Sequence, residues 1–233
     1  MKYIIMCGGH YKEWETPRQL LKINGEPIVA RTIRLLREAG VSDIAISSNE
    51  PAFEGLGVPV LHHRNEYYAR GQNDVDGHWC DAFFSTAEPV CYIFGDVVFS
   101  PAAIRRIVET ETDDIELFGS AKPFAPEYPK TWVEPFAFKV QEQTHFSEAI
   151  RLMKEIGHTC WRAPISWDLW ALIRGRRIDI DDYKVDYTVI NDYTCDIDHR
   201  YEIPDLERRI AGRNDKRRMD KNNKASMHRG EDV

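Results

Sequence analysis

Apolar and polar positions follow two alternating rhythms along the first half of the chain. "YIIM" (3–6) is a short unbroken apolar run, the pattern of a strand buried on both faces. Residues 27–39 place Ile28, Val29, Ile33, Leu35 and Leu36 at helical spacing, with Pro27 at the start and Gly40 at the stop. "DIAISS" (43–48) and "VPVLHH" (58–63) read as strands, and "GHWCDAFFSTA" (77–87) has helical spacing. "VCYIFGDVVFS" (90–100) is a strand ending in Gly95-Asp96, "PAAIRRIVETE" (101–111) a helix opened by proline, and "DIELFGSA" (114–121) a further strand. This alternation predicts an α/β fold: a mainly parallel sheet covered by helices, with Gly8 and Asp96 at the same sheet edge.

After residue 120 the rhythm changes. "WVEPFAFKV" (132–140) reads as an antiparallel strand. "SEAIRLMKEIG" (147–157) reads as a helix with Ser147 at its N-terminus and a glycine stop. "SWDLWALIRG" (166–175) is another helix, and the segment to residue 211 holds one or two strands and a final helix. The expected organisation is one domain over 1–211, followed by a polar tail over 212–233.

Composition narrows the class. The formal charge is −7, yet the tail from Gly212 holds seven Lys and Arg against four Asp and Glu, so the body is more acidic still. Such a body lacks the basic stripe of a nucleic-acid groove. The polar tail reads as a solvated terminus. No apolar run is long enough to span a membrane, and the short apolar start is no signal peptide; a cytoplasmic protein is expected. Five scattered cysteines, Cys7, Cys80, Cys91, Cys160 and Cys195, form no C-x-x-C pair and suit reduced thiols. The eight histidines show no metal-ligand spacing. Trp161, Trp167 and Trp170 read as core or as a subunit contact, which leaves room for a homodimer.

The chemistry-bearing residues sit where strands end. Gly8 and Gly9 follow the first strand, and glycine lets backbone N–H groups approach a phosphate or base closely. Neither G-x-x-x-x-G-K-[ST] nor G-x-G-x-x-G is present. The wider stretch "MCGGHYKEWETPRQLLKINGEPIVARTIRLLREAGVSDIAIS" resembles the nucleotidyltransferases that activate sugar, polyol and choline phosphates. Gly8, Gly9, Pro17, Leu20, Gly25, Pro27 and Gly40 fall into step with that family's opening. The glycine-to-proline loop is shorter than usual, and Arg18 stands where members carry lysine. Two later marks follow in order: "YIFGDVVFS" with Asp96, and "TCDIDHRYEIPDLERRI" with Asp198. Asp196, two residues before Asp198, shares its face of an extended strand.

The resemblance implies a three-layer, Rossmann-like (GT-A-like) αβα fold with a mixed, mainly parallel sheet and a small antiparallel acceptor subdomain, its acceptor-side elements at about 120–190. It implies a site in which Gly8 and Gly9 admit a nucleoside triphosphate while Lys12 and Arg18 hold its phosphates. Gln72, Asn73 and Gly77 would meet the base or ribose. Asp96 and Asp198 would share one Mg²⁺. Lys122, with Lys130 as its substitute, would meet the acceptor phosphate, and Glu134 an acceptor hydroxyl. Compact members of that family of this size include the cytidylyltransferases for phosphocholine and glycerol phosphate, so the resemblance favours CTP, and it implies a small phosphorylated acceptor such as glycerol phosphate or choline phosphate. The alternatives are uridylyl or thymidylyl transfer to a sugar 1-phosphate, then guanylyl transfer to a cofactor, a GT-A-like glycosyltransferase, or an inactive nucleotide-binding regulator.

Overall fold

The apolar run at the N-terminus forms β1 (Lys2–Met6), the strand around which the sheet is assembled. The computed structural model describes residues 1–8, 15–64, 78–121, 129–130, 132–159, 164–178 and 186–212. β1 pairs in parallel with β4 (Ile44–Ser47) on one side and β6 (Val90–Phe94) on the other. β5 (Val60–Leu61) extends the sheet beyond β4. β9 (Pro135–Val140) runs antiparallel between β6 and β8 (Ile115–Ser120), and β10 (Thr188–Ile190) closes that edge in parallel with β8. The seven-stranded order is β10-β8-β9-β6-β1-β4-β5. The mixed, mainly parallel α/β sheet is therefore as expected, and its antiparallel strand is woven into the main sheet. Two short ladders lie apart: β2 (Lys22–Ile23) with β3 (Glu26–Pro27), and β7 (Val97–Val98) with β11 (Cys195–Asp196).

Alternation along the strands sorts the helices to two faces. Ile4, Met6, Tyr92, Phe138 and Val140 pack with Phe146, Ala149 and Met153 of α3 (Gln143–Thr159) and with Trp167 and Trp170 of α4 (Ser166–Ile173). Trp167 and Trp170 are thus core residues. The intervening Lys139 points to the opposite face, where its ammonium donates to the carbonyls of Ile107, Val108 and Thr110. These end α2 (Pro101–Glu109), which packs beside α1 (Ile28–Glu38). Lys139 thereby satisfies carbonyls that a helix C-terminus leaves open. α1 stops at Gly40, whose φ of 87° lets Gly40 N–H reach Arg37 O and Val41 N–H reach Leu36 O.

Two sequence expectations change. Where helical spacing predicts a helix over 77–87, the described residues 78–87 hold only a short 3₁₀ turn, His78–Ala82; Phe84 N–H then donates to Ala82 O, and Thr86 Oγ1 accepts from Glu88 N–H just before β6. The strand of the 90–100 run ends before Gly95-Asp96, as read from the sequence, and this pair redirects the chain out of the main sheet into β7. α3 begins at Gln143 rather than Ser147: the Glu142 carboxylate accepts from the N–H groups of Thr144 and His145 and so performs the capping. The expectations for Gly9, Lys12, Gln72, Asn73, Gly77, Lys122, Cys160, Trp161 and residues 213–233 lie outside the described residues. Cys7, Cys80, Cys91 and Cys195 are buried free thiols. Among the described residues no helix is long and apolar enough to cross a membrane.

The chain divides into two compact units, Met1–Asp196 and Ile197–Val233. The second contains Asp198, a 3₁₀ turn at Arg200–Glu202 and a helix over 203–212. Its first turn is held by the Glu202 carboxylate, which accepts from Asp198 N–H and His199 N–H at 2.8 and 2.9 Å.

In the first unit, α2 is anchored at its start by a buried relay. Ser100 Oγ accepts from Ala103 N–H and donates to Asp192 Oδ2, while Asp192 Oδ1 accepts from Thr194 N–H. Ser100→Ala removes a helix cap and one of the donors facing a buried carboxylate. The expected loss is about 1–3 kcal/mol of unfolding free energy, seen as a lower urea midpoint at unchanged slope.

Candidate active site

Parallel strands present their carboxyl ends at one edge, and there the backbone is tightly bound. Cys7 N–H donates to Ser47 O at 2.8 Å, and Ser48 Oγ donates to Cys7 O at 3.0 Å. Gly95 N–H donates to Met6 O at 3.0 Å. A Cβ on Gly95 would lie 2.5 Å from Met6 O and 2.8 Å from Cys7 Sγ. Only glycine fits this approach. Gly8 and Asp96 consequently leave the sheet from neighbouring strands at the same edge, as the alternation of strands and helices predicts. Burial, with the Asp96 charge second, pushes the Cys7 thiol well above its ordinary range, so it serves as a neutral filler beneath the site.

Arg18 opens a 3₁₀ turn, Arg18–Leu20, directly after Pro17. Its guanidinium Nη2 lies 2.9 Å from Asp96 Oδ2, with the two side chains 16% and 19% exposed. Gln19 beside it is buried and packs its Cγ toward Gly95. Gln19 Oε1 has no hydrogen-bond partner among the described residues.

A second cation–carboxylate group sits where β8 ends and β9 begins. Ser120 N–H donates to Glu134 O and Ser120 Oγ accepts from Glu134 N–H, both at 2.8 Å, which fixes Glu134. The buried Lys130 ammonium donates to Asp196 Oδ1, lies 4.0 Å from Glu134 Oε1 and sits 5.2 Å from the ring centre of the exposed Trp132. Glu134 and Asp196 offer carboxylate oxygens within 4.8 Å of one another. Asp196 faces Val97 across the β7–β11 ladder, so this group adjoins the chain that carries Asp96.

The structure thus brings Gly8, Arg18 and Asp96 to one edge, and Lys130 with Glu134 to an adjoining group. Asp196 joins that second group; its position two residues before Asp198 was its sequence signal. Gln19 and Trp132 had no sequence signal beyond their neighbours. Asp96 is engaged by Arg18, and Asp198 belongs to the second unit. The carboxylates of Asp96, Glu134 and Asp196 are hard oxygen donors of the kind Mg²⁺ takes, and they lie beside cations suited to phosphate. The donor chemistry fits that ion.

Residues 3–159 match the MobA-like NTP transferase domain. That is well over half of the chain, and the chain belongs to this family of nucleotidyltransferases. The chain is also similar to a Bacillus anthracis crystal structure described as a glucose-1-phosphate thymidylyltransferase in complex with sucrose. The identity is 17%, the match covers 89% of this chain and 94% of that one, and the TM-score is 0.57. At that identity the likeness shows the shared fold. A search of curated proteins returned no match.

The close approach at Gly95 is testable. Gly95→Ala forces backbone apart at the root of the site, so turnover should fall at least about tenfold and stability by roughly 1–3 kcal/mol. Kinetics and urea unfolding of the same preparation check both effects.

Proposed function

We propose that this protein is a cytidylyltransferase: it transfers CMP from CTP to a small phosphorylated acceptor and releases pyrophosphate. The observation that carries this reading is the Arg18–Asp96 pair at the glycine-lined ends of β1 and β6, a cation and a carboxylate side by side where a triphosphate would enter. The preference for CTP rests on the resemblance of the chain's opening stretch to the nucleotidyltransferases that activate polyol and choline phosphates.

The acceptor phosphate attacks the α-phosphorus in line, and the α–β bridging oxygen leaves with pyrophosphate. A phosphate monoester has its second pKa near about 6, so at neutral pH the nucleophile is already largely the dianion and needs no general base. The protein's work is positioning and charge neutralisation. Gly8 and Gly9 admit the nucleotide, Lys12 and Arg18 meet its phosphates, and Gln72, Asn73 and Gly77 meet the base or ribose. Lys122 and Lys130 orient the acceptor phosphate, and Glu134 an acceptor hydroxyl. Asp96 and Asp198 would hold Mg²⁺, which when bound neutralises phosphate charge. The second reading, thymidylyl or uridylyl transfer to a sugar 1-phosphate, is favoured by the activity named for the B. anthracis structure.

A pyrophosphate-release screen of four nucleoside triphosphates against phosphorylated sugars and polyols tests the proposal. Release with CTP and a polyol or choline phosphate supports it. Release confined to dTTP or UTP with a sugar 1-phosphate selects the second reading, and no release with any pair overturns both. With the active pair, Asp96→Ala should abolish turnover while the thermal transition persists. Arg18→Ala should lose about 10²–10³ in rate, whereas Arg18→Lys should keep measurable activity. Equal, near-wild-type rates for both Arg18 variants would remove Arg18 from phosphate binding.

A further inference from the structure

Resting on the nucleotidyltransferase reading of this site, we infer that Arg18 is a gate on Asp96: it keeps the carboxylate from taking a divalent cation until a triphosphate arrives to draw the guanidinium away. The two residues expected to hold opposite components of the substrate, phosphate and metal, hold each other instead, Nη2 to Oδ2 at 2.9 Å. Both side chains are more than four-fifths buried, so the pair is less screened than one in open solvent. A Mg²⁺-type ion sits about 2.1 Å from a carboxylate oxygen. A cation at that distance from Asp96 would lie within a few ångströms of the guanidinium. Two positive charges compete for one carboxylate there, and the arrangement disfavours the lone ion.

A triphosphate changes the balance. It supplies several negative oxygens to Arg18, whose planar fork matches phosphate as well as carboxylate. Asp96 is then released to the ion, and the ion in turn neutralises the phosphates. A triphosphate without metal gains less, because it must draw Arg18 from Asp96 and leave that carboxylate uncompensated beside phosphate oxygens. Metal and nucleotide therefore bind cooperatively, and the coupling is reciprocal by linkage. Lys130, which donates to Asp196 on the ladder beside Asp96, repeats the motif of a cation resting on a carboxylate.

The test titrates the full chain with Mn²⁺ alone, reading free Mn²⁺ by its electron paramagnetic resonance signal. The proteins are wild type, Arg18→Gln, Arg18→Lys and the double variant Arg18→Gln/Asp96→Asn. Thermal transitions establish that each is folded. Without nucleotide, Arg18→Gln should bind Mn²⁺ about tenfold tighter than wild type, and the double variant should lose that gain. Arg18→Lys keeps the positive charge and should stay close to wild type. It also carries the test should Arg18→Gln not fold, since tight Mn²⁺ binding by Arg18→Lys contradicts a charge gate. Adding CTP should then tighten Mn²⁺ binding more in wild type than in Arg18→Gln. Arg18→Gln binding Mn²⁺ no tighter than wild type overturns the gate, as does a gain that survives loss of Asp96. The nucleotide-free titration contains no substrate, so its outcome stands apart from the pyrophosphate screen. A tenfold gain there with no CTP coupling would keep the Asp96 competition and overturn the release by triphosphate.

Discussion

The candidate site depends on one close backbone approach, Gly95 against the end of β1. The hydrogen bond from Gly95 N–H to Met6 O continues the β1–β6 pairing one residue past the strand. The missing side chain then lets the two chains separate at a tight turn. Gly8 follows β1 and Asp96 follows β6 at that edge. β7 follows at once and pairs with β11, which brings Asp196 alongside. A side chain at residue 95 would push β1 and β6 apart where the main sheet and the small ladder meet, and the spacing of Arg18, Asp96 and Asp196 would change with it.

Around that point the structure surrounds charge with neutral packing. Cys7 is kept as a thiol by burial and by Asp96. Tyr92 is buried and donates its hydroxyl to Phe84 O. Aromatic rings from Phe83, Phe138 and Phe146 close beneath it at edge-to-face angles or stacked. Such packing holds β6 rigidly, and a rigid strand end is what lets a few side chains act at fixed distances. The charged groups above are in turn matched to each other, Arg18 to Asp96 and Lys130 to Asp196 and Glu134. A partly buried charge without a partner is costly, so a site that awaits both anions and cations is most stable when its own groups pair.

The sequence by itself determined the α/β class, the parallel run of strands, and the meeting of Gly8 with Asp96 at one edge. The reason is local: a short apolar run bounded by glycine, and a helix between Pro27 and Gly40, are legible from periodicity and backbone sterics alone. The same locality explains its errors. The helical spacing over 77–87 gives way after Ala82 to a tight turn in which Phe84 N–H donates to Ala82 O, and the start of α3 was decided by the Glu142 carboxylate rather than Ser147. Only the tertiary structure decided that Arg18 rests on Asp96, that Lys130 reaches Asp196 across 66 residues, and that Glu134 is the carboxylate beside it. Those partnerships join separate strands and loops, and no period along the chain encodes a distance between residues so far apart in it.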